Sequence, residues 1–422
     1  MKIILSEREP LNPIATLGGQ NTTLLDKLCA LMLALTPIFQ HYYGLYENMG
    51  FTLYLLILPI MGLRLLKVGR LDIKRLTPLV PLLLYEAYMI VMRINSVSRI
   101  LYGVFLIMMF VLICSGHLNV QYFLRCVAAI GCIATCLILV QYASYYLLHR
   151  PLNLEPHSIL LPENSRWVVT VTYNTRKLYR PSGFFLEPSH VFLYTFPVTC
   201  LCLLTPGMDK WRMRTAIILS AGVVLSTSGM GIFVLVGIWG LYLMLYRQGQ
   251  RGARAMLKQI MTRKNITLLL LAIVALVCAY FFVPFVQKAV NRIFVSSDQV
   301  SAISGRTRRA GNYIKTISGK NMLFGTAGVN ADLDFSTSGF YATYIRWGIF
   351  GLIFSYWFYI QGLFKLKGAY FWFSALMLLL SVFTAHTHGT FYMVYFVTVL
   401  MNGYYERRND ILSRRNQPPI AR

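Results

Sequence analysis

An arginine and a glutamate lie seven residues apart in segment 180–189, immediately before an apolar run. The segment reads RPSGFFLEPS, with Arg180 first and Glu187 eighth, and the run 190–204 that follows is apolar enough to enter a bilayer. A charge near the bilayer centre costs about 2.5–3.5 kcal/mol on insertion scales, so charges at its edge are expected to pair or to bind a polar ligand. A carboxylate in such a place can take a proton from a hydroxyl within hydrogen-bonding distance. The alternative is a structural Arg180–Glu187 ion pair that closes the segment onto the membrane.

Two long segments, 148–187 and 284–340, carry clustered arginines on the predicted outer side of the membrane. Connections of this length are usually functional or disordered, and the interleaved aromatic and aliphatic residues argue against disorder. The planar guanidinium group binds phosphate through two parallel hydrogen bonds, so the clusters predict phosphate binding. Alternatively, long loops simply tolerate such charge during translocation. The basic residues are Arg150, Arg166, Arg176, Lys177 and Arg180 in the first segment, and Lys288, Arg292, Arg306, Arg308, Arg309, Lys315 and Lys320 in the second.

The second segment contains a pattern of helical spacing between residues 304 and 319. Its apolar residues are Tyr313, Ile314 and Ile317, while Arg306 and Arg309 lie three residues apart and so share one face. This predicts a short amphipathic helix on the outer surface, with its arginines toward a cavity. The alternative is that the arginines anchor the helix to anionic headgroups.

The composition predicts an all-α integral membrane protein that forms a single polytopic domain over residues 1–422. Of its residues 56% are hydrophobic and only 13% are charged, with a mean hydropathy of +0.56. Runs of about 17–25 apolar residues can span the hydrocarbon core as helices, and they predict about 12 transmembrane helices. The runs are 24–40, 50–66, 77–92, 99–115, 125–148, 189–205, 214–227, 229–246, 266–283, 339–363, 371–385 and 390–405.

The distribution of lysine and arginine predicts the orientation in the bilayer. Segments 64–75, 247–265 and 407–415 are strongly basic, and all three fall on one side of a twelve-span arrangement. The positive-inside rule makes that side cytoplasmic, together with both termini. These loops explain most of the net charge of +25, so we predict the lipid bilayer as a partner and no nucleic acid.

Four segments together resemble the bacterial polymerases that join O-antigen or exopolysaccharide repeat units, within the superfamily that includes the O-antigen ligases. The segments are 180–189, 225–231, 305–328 and 346–351. The resemblance implies a multi-span glycosyltransferase fold of the lipid-phosphate-sugar type in the bacterial inner membrane, with two extracytoplasmic loops that carry arginines and face the periplasm. It also implies substrates built on undecaprenyl pyrophosphate. Ligases of this superfamily carry a histidine just before the span corresponding to 339–363, whereas residues 336–341 contain none, which favours a polymerase.

The chemistry that the resemblance implies assigns roles to the charged residues. A sugar hydroxyl would attack an anomeric carbon and expel the lipid pyrophosphate, so cations are needed where negative charge grows. Arg180 and Arg306 are the predicted catalytic cations, Arg176 and Arg309 support substrate binding, and Glu187 is the predicted base.

Other residues carry weaker predictions. His386 and His388 fall in the outer turn between the last two spans, where they could bind sugar or pyrophosphate or could simply be solvated. Asp332 and Asp334 have a spacing that some glycosyltransferases use for a divalent cation, but two acids alone are too few oxygen ligands. We therefore predict no metal and no cofactor. Residues 226–231 are best explained by close helix packing.

Three other functions share the size and charge bias of the chain. A lipid-sugar flippase or secondary transporter would also be polytopic, but transporters usually show two similar halves, and residues 1–211 and 212–422 share no matching pattern. An O-antigen ligase would use the same chemistry but would transfer the polymer to lipid A core.

For a polymerase we expect, besides the lipid-linked oligosaccharides, a separate flippase and a chain-length regulator as partner proteins.

Overall fold

A computed structural model describes fourteen ranges of the chain. The described residues are 2–4, 23–44, 49–68, 70–72, 76–92, 97–113, 118–152, 154, 179–205, 210–246, 281, 310–326, 338–384 and 390–415. The helices are α1 (Leu24–Phe39), α2 (Met49–Val68), α3 (Val80–Met92), α4 (Val97–Leu112), α5 (Val120–Leu147), α6 (Pro188–Leu204), α7 (Lys210–Leu225), α8 (Gly229–Tyr246), α9 (Lys320–Phe324), α10 (Gly339–Lys365), α11 (Gly368–Phe383) and α12 (Thr390–Arg415).

The prediction of an all-α fold is confirmed for this part of the chain. A helix covers eleven of the twelve predicted apolar runs, and the remaining run, 266–283, lies outside the described residues except for Phe281. The described residues also include a 3-10 helix, Thr77–Leu79, a helical stretch at 310–316 and two three-residue strands. The strands, β1 (Lys2–Ile4) and β2 (Arg70–Asp72), pair in parallel.

Two of the described helices, α5 and α10, are long and apolar enough to cross a membrane. Six further apolar stretches are shorter, at 10–17 residues. The number of twelve transmembrane helices therefore stays a prediction, as does the single membrane domain. The twelfth predicted run differs most in its bounds, because α12 continues to Arg415 rather than ending at 405, and α7 begins at Lys210 rather than at 214.

Local sequence explains where several helices begin. The hydroxyl of Thr23 accepts a hydrogen bond from the amide of Asp26, and the Asp26 carboxylate accepts one from the amide of Thr23, so α1 starts with a complete capping box. The side-chain oxygen of Asn119 accepts a hydrogen bond from the amide of Tyr122 at 2.9 Å and caps α5. At the start of α6, Pro188 occupies the first helical position and needs no hydrogen-bond acceptor.

The chain packs as two compact units, residues 1–127 with 309–422 and residues 128–308. We call the first the outer-sequence unit, because it contains both ends of the sequence, and the second the middle unit. In the outer-sequence unit, α10 packs on α11, α3 and the short α9, and α1 packs on α2. A buried aromatic contact joins α2 to α12, where the rings of Tyr54 and Phe391 stack with centroids 5.2 Å apart.

The middle unit is built around α6, which is buried along almost its whole length and packs against α7 and α8. Small residues allow close approach. A methyl group at Gly222 would lie 2.2 Å from the hydroxyl oxygen of Thr135, and one at Gly231 would lie 2.8 Å from the Cβ atom of Phe192. The contact at Gly231 confirms the close packing that was predicted for residues 226–231.

Candidate functional site

One buried amide holds both ends of the first long segment in the middle unit. The Nε2 atom of Gln141 donates to the carbonyl oxygens of Leu152 and Gly183, at 3.0 and 3.1 Å, and its Oε1 atom accepts from the amide of Gly183 at 2.8 Å. Gln141 is 3% exposed. A side-chain amide can make four hydrogen bonds, so three of the four are used to fix this segment against α5.

Gly183 takes a conformation that the segment needs for its tight contact with α5. Its φ angle is +66°, where side chains are strained, and an added Cβ would lie 3.1 Å from the carbonyl oxygen of Ala134. The amide of Phe185 donates to the carbonyl of Ser182, and this hydrogen bond closes a turn that contains Gly183. Residues 182–185 therefore have a defined shape, with Arg180 before the turn and Glu187 after it.

Arg180 lies against the break between α7 and α8. Its Nε atom donates to the hydroxyl of Thr227 at 3.2 Å, and its side chain is half-buried. Thr227 has a φ angle of +58°, which is uncommon for a threonine and marks the turn between the two helices. On either side, the Ser226 hydroxyl donates to the carbonyl of Val223 at 2.9 Å, and the Ser228 hydroxyl accepts from the Gly231 amide at 3.3 Å. This small-residue turn therefore positions the arginine as well as packing the helices.

Glu187 lies at the first position before α6. Its backbone is extended, at φ −139° and ψ 151°, as expected for a residue that precedes proline. The carboxylate does not cap the helix, and its Oε2 atom accepts a hydrogen bond from the Ser189 hydroxyl at 2.7 Å. The positive end of a helix dipole is a favourable place for this negative charge. Arg180 and Glu187 thus lie on one rigid segment, each beside a different hydroxyl partner.

In the outer-sequence unit, α9 and the turn after it pack into a break in α10. Gly348 is non-helical, at φ 65° and ψ −162°, so α10 consists of two helices that meet at this residue. A break frees backbone carbonyls, which must find other donors. The amide and hydroxyl of Thr326 both donate to the carbonyl of Ile345 at 2.9 Å, and the Tyr88 hydroxyl lies 2.9 Å from the carbonyls of both Phe324 and Trp347.

The packing at this break requires two glycines. A Cβ at Gly325 would lie 2.3 Å from the Arg346 carbonyl oxygen, and one at Gly348 would lie 2.3 Å from the Leu323 carbonyl oxygen. Arg346 therefore lies two residues before a fixed break, with an exposed side chain. The two sequence segments 305–328 and 346–351 meet here through Gly325 and Gly348, as 180–189 and 225–231 meet through Arg180 and Thr227 in the middle unit.

Part of the predicted amphipathic helix is described, and residues 310–316 are helical. Ala310 and Ile317 are buried against Ile345 of α10, with Tyr313 and Ile314 packed beside them. The apolar face thus packs on protein at this end. The remaining predicted site residues lie outside the described residues, so their roles stay predictions. They are Arg176, Arg306, Arg309, His386, His388, Asp332 and Asp334.

Sequence reasoning did not identify several residues that build these sites. They are Gln141, Thr227, Ser189 and Tyr88. An amide in the middle of an apolar run is costly to bury without partners, and this signal points to Gln141. Segment 225–231 was singled out in the sequence, but serine and threonine are common at helix ends, so nothing marks Thr227 within it as the partner of Arg180.

The comparisons with known proteins give no relative, since no protein-family model, curated protein or solved structure matches the chain. Within the described ranges, no group of three or more histidine, cysteine, aspartate or glutamate side chains is arranged to hold a metal ion.

Proposed function

We propose that this protein is a glycosyltransferase of the bacterial inner membrane that polymerises undecaprenyl-pyrophosphate-linked oligosaccharide repeat units at the periplasmic face. In this proposal the chain has about twelve transmembrane helices and both termini in the cytoplasm. The product is O-antigen or a related surface polysaccharide. The observation that carries the proposal is the pairwise meeting of the four resembling segments, 180–189 with 225–231 and 305–328 with 346–351.

The proposed reaction is a substitution at the anomeric carbon of the donor. A hydroxyl of the acceptor glycan attacks this carbon, a new C–O bond forms, and the bond to the pyrophosphate oxygen breaks, so the lipid pyrophosphate leaves with the electron pair. The proton of the attacking hydroxyl passes to the Glu187 carboxylate, which Ser189 orients through its hydrogen bond. The reaction needs no cofactor.

The guanidinium of Arg180 stabilises the leaving pyrophosphate. Its Nε atom donates to the Thr227 hydroxyl at 3.2 Å, which fixes the group beside the turn, and a planar guanidinium has the fork geometry that phosphate favours. Stabilising charge that develops in the transition state is usually the largest catalytic contribution. Arg306 has the same role in this proposal, with Arg176 and Arg309 in support and His386 and His388 in contact with the substrate.

Deletion of the gene tests the proposal in the cell. We expect the surface glycan to carry single repeat units in place of long chains, and we expect a plasmid copy to restore the long chains. Long chains that accumulate on the lipid carrier without reaching lipid A core would instead indicate a ligase. Loss of every lipid-linked unit from the periplasmic face would indicate a flippase.

A further inference from the structure

Four tyrosines form a cluster beside Arg180 at the end of α5. Tyr142, Tyr145 and Tyr146 lie in the last turns of this helix, and Tyr179 precedes Arg180 in the chain. The rings of Tyr145 and Tyr179 stack with centroids 4.2 Å apart and planes 5° apart. The rings of Tyr142 and Tyr146 are also nearly parallel, at 5.9 Å and 7°.

The two inner rings hold the two outer rings in place. Tyr179 is 5% exposed, and the Tyr142 hydroxyl donates to the carbonyl of Leu225 at 2.7 Å. Tyr145 and Tyr146 are 37% and 59% exposed, and their rings are perpendicular, with centroids 5.1 Å apart and planes 84° apart. The cluster therefore presents two fixed aromatic surfaces that form a corner.

This corner lies next to the proposed pyrophosphate-binding group. Tyr179 and Arg180 are consecutive, and the Tyr142 hydroxyl and the Arg180 guanidinium donate to Leu225 and Thr227, which lie two residues apart. A pyranose ring has an apolar face of C–H bonds and a rim of hydroxyls, so it can stack on an aromatic ring while it hydrogen bonds to phenol groups. Tyrosines supply such a surface at low conformational entropy cost, because they have few rotatable bonds.

We propose that Tyr145 and Tyr146 form a sugar-binding platform, which takes a pyranose residue next to the diphosphate of the lipid-linked repeat unit. The identity of this ligand rests on the proposed function. Tyrosines also occur as interfacial anchors at the membrane surface, but an anchor needs only its hydroxyl at the headgroup level. Two stacked pairs, locked at right angles beside a guanidinium, provide the flat and rigid surfaces that sugar binding requires.

Binding of free sugar tests the platform separately from catalysis. The probe is the repeat-unit oligosaccharide that mild acid releases from the lipid-linked intermediates of a strain lacking the gene. Its Kd for the purified full-length protein is measured by calorimetry, and the KM for the intact lipid-linked unit is measured in liposomes. The variants are Tyr145→Ala, Tyr146→Ala and the corresponding phenylalanine substitutions.

We expect each alanine variant to raise both Kd and KM about three- to tenfold, while the phenylalanine variants keep most of the affinity because they keep the ring. Tyr146→Ala is the decisive variant, because this ring is the most exposed of the four and its removal leaves the Tyr145–Tyr179 stack intact. The control is Tyr43→Ala in the outer-sequence unit, where a tyrosine that is 43% exposed lies on the same predicted side of the membrane.

The outcomes separate this inference from the proposed function. If the protein polymerises repeat units but Tyr146→Ala leaves Kd and KM unchanged, or if Tyr43→Ala causes the same loss, the platform is refuted and the polymerase stands. If the protein binds the oligosaccharide through these tyrosines but forms no polymer, the platform stands and the polymerase is refuted. Failure of the unaltered protein to bind the oligosaccharide would also overturn the platform.

Discussion

Replacing Gln141 with leucine should loosen the segment that carries Arg180 and Glu187. Leucine has a similar size but cannot make the three hydrogen bonds to Leu152 and Gly183. A buried hydrogen bond contributes about 1 kcal/mol net, so the three together stabilise the segment by about 3 kcal/mol. This free energy corresponds to roughly a hundredfold change in the equilibrium between the closed and open segment.

Hydrogen–deuterium exchange measures this opening directly. We expect the peptide that covers residues 179–187 to exchange roughly a hundredfold faster in Gln141→Leu, because the Gly183 amide loses its acceptor. Polymer formation should fall as well, since the segment no longer holds its charges in place. The matched control is Gln121→Leu, which changes an exposed glutamine on the same helix and should leave both exchange and polymer unchanged.

The reasoning would be refuted by an exchange rate in Gln141→Leu that equals the rate in the unaltered protein. The same conclusion would follow if Gln121→Leu accelerated exchange to the same extent, because the effect would then come from any substitution on α5. If Gln141→Leu exchanges faster but polymerises normally, the hydrogen bonds of Gln141 stabilise the segment but do not contribute to catalysis.

Three further predictions concern substitutions of single residues. Glu187→Gln should abolish polymer while the protein still inserts, because the amide cannot accept the proton, and a normal polymer ladder on a gel would remove Glu187 from the mechanism. Arg306→Lys should be strongly impaired, since lysine keeps the charge but loses the fork, and full activity in this variant would reduce Arg306 to a headgroup anchor. Gly348→Ala should destabilise the protein by about 3 kcal/mol or more, because its backbone conformation is essentially restricted to glycine and the new methyl group would meet the Leu323 carbonyl. Thermal unfolding in detergent measures this loss against Gly62→Ala, which places a methyl group in open space, and an equal melting temperature for the two variants would contradict the argument.

Apolar patterning located the long described helices, but it did not predict the short α9 or the irregularities of the long helices. A continuous apolar run predicts a helix because its side chains must leave water, and this rule found α10 from residue 339 onward. The break at Gly348 has no local signal, since a single glycine is tolerated inside many helices. It depends on the turn at 325–326, whose donors replace the lost helical hydrogen bonds.

The candidate site shows the same division between local and long-range information. Arg180 and Glu187 stood out because charge is rare beside an apolar run, and the predicted run 189–205 lies within one residue of α6 at each end. Their supporting contacts could not be predicted. Gln141 and Gly183 are 42 residues apart, and Arg180 and Thr227 are 47 residues apart, so neither pair has a recognisable spacing.

Polymerisation by the purified protein is the most direct test of the proposed function. The protein is reconstituted into liposomes with the lipid-linked repeat units that accumulate in the deletion strain, and no lipid A core is added. We predict a ladder of glycans that lengthens by one repeat unit per step, with release of undecaprenyl pyrophosphate. Glycans that stay at one repeat unit, or that grow only when lipid A core is supplied, would contradict the account.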